Sequence, residues 1–207
     1  MKYFYVLHTP VENYVFPADV FAEKGEAFSV GGFTLKAEKT RKNGYSVCNL
    51  TVSSGESAEV YLSLMGSGGE KFYSFEGECR EERIFRQSPH NTERYQFKME
   101  KSAIPMVAAV SEGEAEVFVC DNPSFFANAT TQSINPGKGE FLLSSGDPGG
   151  APNFPESDDF APIFHNIGGK LTHTLRFIAF RAAAGTLKAV RREVYRAIEA
   201  VWGENSP

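Results

Sequence analysis

Only one stretch of this sequence carries a long helical period, and its apolar face must lie on something. At 100° per residue, Leu187, Val190, Val194, Tyr195, Ile198, Val201 and Trp202 fall on one face of a helix running from Thr186 to Trp202. Thr186 is suited to cap its start, because a threonine hydroxyl accepts from an otherwise orphaned amide, and Gly203 is suited to stop it. Upstream, LTHTLRFIAF (171–180) reads as extended, and so does the rest of the chain. A lone helix closing a β chain needs an apolar surface under its stripe. That surface is either the chain's own sheet or a following domain. The expected division is a β-sandwich over 1–181 and a linker helix over 182–207 leading to a missing C-terminal domain.

The chain has 207 residues, enough for one large β domain with a proper core. Its 18 Phe and 8 Tyr favour strands, since their rings pack on a half-buried pleated surface. The formal net charge of −5 argues against nucleic acid as a partner. Arg181, Lys188, Arg191, Arg192 and Arg196 nevertheless gather around the helix, as a solvated face or as a basic surface for an acidic neighbour. Arg191 falls inside the apolar arc, so its head must reach water or pair with a carboxylate. Cys48, Cys79 and Cys120 are too far apart for a local metal motif and fit small core positions. No segment approaches the roughly 18 apolar residues of a membrane span.

Alternation places strands at Tyr3–Leu7, Asn13–Phe16, Phe33–Glu38, Tyr45–Val52 and Ala58–Leu64, the last three as a meander turning at Asn43-Gly44 and at Ser53-Ser54-Gly55-Glu56. Lys71–Phe75 follows after a Gly66–Gly69 break. The charged run Cys79–Gln87 suits an edge, where charge blocks further pairing. Arg94–Met99, Ile104–Val110, Ala115–Cys120 and Phe141–Ser144 complete the set before the closing strand, with Ile104–Val110 apolar enough to be covered on both sides. Eleven or twelve strands exceed an immunoglobulin unit and predict a large two-sheet antiparallel sandwich, mainly β, with one C-terminal amphipathic helix. Residues 145–160, rich in Gly and Pro, form a long loop of the kind that is functional or disordered.

Catalytic signatures do not appear. There is no phosphate-binding glycine loop, no Gly-x-Ser-x-Gly elbow and no His-Glu-x-x-His, and no cofactor or metal is expected. His8, His90, His165 and His173 share no metal spacing. His173 reads as structural, and His165, just after the long loop, is the better site candidate. Asp147, Glu156, Asp158 and Asp159 form an acidic loop whose spacing matches no known cation loop.

The run Ala103-Ile104-Pro105-Met106-Val107-Ala108-Ala109, then Val117-Phe118-Val119-Cys120-Asp121-Asn122-Pro123, and the helix segment Arg192-Glu193-Val194-Tyr195-Arg196-Ala197-Ile198 resemble a known arrangement. It is similar to the N-terminal β-supersandwich that precedes a helical toroid in six-hairpin glycosidase-like proteins, usually bacterial and carbohydrate-active. That resemblance implies a non-catalytic domain supporting or bordering a sugar site, with the acid and base in a following helical domain of the same chain. It implies a periplasmic or extracellular setting if the parent protein is secreted, and a cytoplasmic one otherwise. Sugars are held by aromatic faces and planar polar groups, which points to Phe125, Phe126, Asn128, Asp147, Asn153, Phe154 and His165. Two alternatives stand beside it. One is a stand-alone sugar epimerase pairing His90 or His165 with a glutamate. The other is a structural or adhesion module whose helix binds a partner.

Overall fold

The computed structural model describes residues 1–76, 81–86, 95–98, 106–120, 131–135, 138–146, 164–184 and 186–203. Two antiparallel sheets pack face to face. The first, of seven strands, orders β2 (Asn13–Ala18), β1 (Lys2–His8), β6 (Ala58–Ser67), β13 (Glu140–Ser144), β12 (Thr131–Asn135) and β9 (Tyr95–Lys98), with β14 (His165–Ile167) added on β6. The second, of eight, orders β3 (Glu26–Val30), β4 (Phe33–Lys42), β5 (Tyr45–Ser54), β15 (His173–Ala182), β11 (Glu114–Cys120), β10 (Met106–Ser111), β7 (Lys71–Glu76) and β8 (Glu81–Arg86). The charged strand β8 does lie at an edge.

Strands β3, β12 and β14 are additions to the sequence expectation, and the meander is only half present. Asn43 and Gly44, both at positive φ (48° and 88°), turn β4 into β5 as expected. The next turn carries the chain into the other sheet instead. Strand β5 is already flanked by β4 and β15. Strand β6 is buried on both faces from Val60 to Leu64, so it belongs at a sheet centre, between β1 and β13. Gly66 lies inside β6, not in a break.

Between the sheets sit Tyr5, Leu7, Leu35, Leu50, Leu62, Leu64, Phe72, Phe118, Phe141 and Phe177, with Cys48 and Cys120 among them as free thiols. Burial pushes the Cys48 thiol up to about 12, as befits a core residue. A second apolar layer lies outside the eight-stranded sheet. There Met106, Ala108, Val117, Val119 and Ile178 meet Leu187, Val190, Val194, Ala197 and Val201 of helix α1 (Leu187–Trp202). Of the two possible surfaces for the stripe, the helix uses its own sheet. Strand β10 is therefore covered on both sides.

The Thr186 hydroxyl accepts from the Ala189 amide at 3.3 Å, and Gly203 ends the helix in a right-handed conformation. The stripe is rotated from the wheel reading: small Ala197 is buried and Tyr195 is 48% exposed. Arg191 is half-buried, whereas Arg192 and Arg196 are exposed and both engage Glu193. Among the described residues no helix is long and apolar enough to cross a membrane.

Candidate functional site

Three of the four histidines converge around β6. His8, at the end of β1, stacks on Tyr61 with ring centroids 4.0 Å apart. Its Nδ1 lies 2.9 Å from the Asn13 amide oxygen, which fixes Nδ1–H as a donor. In the neutral ring Nε2 then accepts from the Ser63 hydroxyl at 2.9 Å, and Ser63 and Ser144 share a 2.7 Å bond. The next residue, Ser145, points to the other side of the sheet. Its hydroxyl lies 2.7 Å from His173 Nε2 and accepts from the Leu62 amide at 2.9 Å, while its carbonyl accepts from His165 Nε2 at 2.7 Å. His165 and His173 stack at 4.0 Å. Since β13 belongs to one sheet and β15 to the other, Ser145 and His173 tie the two layers together.

This arrangement fixes protonation more than it offers a reaction. Burial, with the neighbouring His165, lowers the His173 pKa to about 3, so its ring is neutral across the physiological range. Ser63 and Ser145 are fully buried, so neither hydroxyl meets solvent. Among the described residues no group of three His, Cys, Asp or Glu side chains is placed to hold a metal, and the His165 Nε2 bond goes to a backbone carbonyl.

A cleft with open access lies at the opposite side of the second sheet's centre. Strand β5 begins at Tyr45, and its last pairing with β15 is Ser46 with Ala179. Beyond that row β15 continues to Ala182 along β11 alone. The missing neighbour leaves a notch of about 530 Å³ between the hairpin tip and the end of β15. Phe21, Tyr45 and Phe180 supply rings to its wall, and Arg41, Asn43, Ser46 and Arg181 supply polar groups. A smaller hollow of about 300 Å³ adjoins it, sharing Arg41 and Ser46 and adding Glu23 and Lys39.

Two groups are held firmly at this notch. Arg181 Nε donates to Glu116 Oε1 at 2.9 Å, and its guanidinium carbon sits 4.2 Å above the Phe21 ring. The hairpin tip is anchored to the helix end, with Asn43 Nδ2 2.7 Å from the Ala200 carbonyl and Lys42 Nζ 2.6 Å from that of Val201.

Of the residues expected from sequence to form a site, His165 is the one the structure describes, and it belongs to the histidine–serine network. Phe125, Phe126, Asn128, Asp147, Asn153 and Phe154 lie outside the described residues, as do His90 and Cys79. The notch residues were missed. Arg41 and Asn43 read only as hairpin chemistry, and nothing local brings them to residues 179–181, more than a hundred positions away in sequence.

No family model and no curated protein matches the chain. Among solved structures, it is similar to a Synechocystis sp. PCC 6803 protein at 7% identity and TM-score 0.38, covering 86% of this chain and 73% of that one. It is similar to a candidate kojibiose phosphorylase from human microbiome at 8% identity and TM-score 0.42, covering 98% of this chain and 25% of that one. A third is a candidate aldose 1-epimerase from Escherichia coli K12, at 10% identity and TM-score 0.33, covering 86% of this chain and 78% of that one. The likeness to each is weak.

Proposed function

We propose that this sandwich is a non-catalytic carbohydrate-binding domain that supports or borders a sugar site, and that the notch between β5 and β15 is its sugar-facing surface. The observation that carries the reading is the composition of the notch: the Phe21 ring, Arg41, Arg181 and the Ser46 hydroxyl on one face of the sheet, and the Tyr45 and Phe180 rings on the other. Sugar C–H faces stack on rings, while sugar hydroxyls need directional, planar partners. On this reading α1 is held to the second sheet by its buried stripe, and Lys188, Arg192 and Arg196 on its exposed face are turned to a following helical domain of the same chain. Phe125, Phe126, Asn128, Asp147, Asn153 and Phe154 stand as further sugar contacts by residue type.

The test is calorimetric titration of this chain with a panel of neutral and acidic oligosaccharides, each followed by product analysis. Binding without turnover, weakened at least tenfold by Tyr45→Leu, supports the reading. Interconversion of anomers supports the epimerase alternative, and silence across the panel sinks the sugar assignment.

A further inference from the structure

Resting on the reading of the notch as a sugar face, we infer that the sugar it takes carries a carboxylate, held between Arg181 and Arg41. Three observations converge on this.

The first is that Arg181 is pre-set. Its Nε is committed to Glu116 Oε1 at 2.9 Å and its plane is laid over Phe21 at 4.2 Å. Edge and face are both fixed, and the two Nη nitrogens remain as the donors on a wall residue of the cleft. A guanidinium held in this way loses little further freedom on binding, and its paired N–H groups match the two oxygens of a carboxylate. Glu116 is only 8% exposed and is not one of the residues lining the notch.

The second is register. Arg41 pairs with Ser46, and Ser46 with Ala179. Side chains in one such row share a face, and Arg181 lies two residues further along β15 on that same face. The two arginines thus rise on one side of the sheet, two strand spacings across and two residues along, or roughly 12 Å apart. Two long side chains can close on one ligand group across that distance, with the Ser46 hydroxyl between them. Arg41 is exposed and, among the described residues, has no ion-pair partner.

The third is contrast. The chain as a whole is acidic, with formal net charge −5, yet none of the residues lining this notch is a carboxylate. Glu23 is the one acid lining the adjoining hollow, where Lys39 is bonded to Glu26 at 3.0 Å. A neutral sugar would leave the Arg41 guanidinium without a charge partner.

The experiment titrates the chain with a galacturonate oligosaccharide and with the methyl glycoside of glucuronate, each against its own methyl ester, which keeps the sugar and removes the charge. The free acids are expected to bind at least tenfold tighter than the esters, with affinity falling as salt rises. Arg41→Gln and Arg181→Lys should bring the acids down to the level of the esters. Lys188→Gln, an exposed change on the helix, should not. Arg181→Lys keeps a cation beside Glu116, so the fold is preserved. Equal affinity for acid and ester, or acid binding untouched by Arg41→Gln and Arg181→Lys, overturns this inference and leaves the sugar reading standing. Absence of binding to acids, esters and the neutral panel alike overturns both.

Discussion

Lys42 and Val201 are 159 positions apart in sequence, yet the lysine ammonium donates to the valine carbonyl at 2.6 Å. With Asn43 bonded to the Ala200 carbonyl, the β4–β5 turn caps the open end of the helix from another part of the chain. Lys42→Met is expected to cost about 1 kcal/mol, or roughly 3 °C in Tm for a chain of this size. Asn43→Gly keeps the positive φ while deleting the amide, and should cost a similar amount. Thermal unfolding followed by circular dichroism measures both. Unchanged melting in the two variants would mean that the helix end is held by its apolar contacts alone.

Gly66 is forced by its neighbour. A Cβ at this position would sit 2.1 Å from the Phe141 ring, which is itself fully buried and stacked 5.2 Å from Phe118. Gly66→Ala should destabilise the fold by roughly 3 kcal/mol. Phe141→Leu should also destabilise, but the double variant should be more stable than the sum of the two losses predicts. Urea titrations of the four proteins close the cycle, and strict additivity would remove the steric explanation.

His173 makes stability depend on pH in a defined direction. Its pKa falls from an ordinary 6.5 to about 3 on folding, so between those values the unfolded chain binds the extra proton and the folded one does not. The contribution is complete above pH 6.5 and is lost as pH falls toward 3, at about 1.4 kcal/mol per pH unit for this one group. His173→Gln should flatten that slope. Urea midpoints measured from pH 7.5 down to pH 4.5 decide it, and a variant as acid-sensitive as the parent would assign the slope to other groups.

The rotated stripe of α1 separates two residues that the helical wheel groups together. Val194 is fully buried and Tyr195 is 48% exposed. Val194→Ala should cost about 2 kcal/mol, whereas Tyr195→Ala should stay within about 0.5 kcal/mol. Thr186→Ala, which removes the cap, should cost about 1 kcal/mol. Comparable losses at 194 and 195 would contradict the observed seating of the helix.

The two-layer body and its helix were legible because they rest on local period: alternation along β4, β5 and β11, the turn dipeptide Asn43-Gly44, and the threonine cap at 186. What stayed hidden depends on long-range pairing. The route of β6 into the other sheet is set by β15 occupying the far side of β5, and β15 lies well over a hundred residues downstream. Alternation alone cannot rank sheet partners. His173 is buried, and its bond to Ser145 could not be foreseen. The wheel placed Tyr195 in the arc because it counts hydrophobicity and not size. Ala197 lets the helix come closer on its other flank.

The position of β15 has a consequence for how the protein is made. It lies between β5 and β11, and so fills the middle of a sheet whose other members all precede it in the chain. Until residues 173–182 leave the ribosome, β3-β4-β5 and β11-β10-β7-β8 are separate half-sheets with two apolar inner edges open to solvent. Unpaired edges of that kind recruit strands from other molecules. Chains cut short just before His173 should therefore accumulate as aggregates, and the nascent protein is at its most vulnerable while β15 is still inside the ribosome.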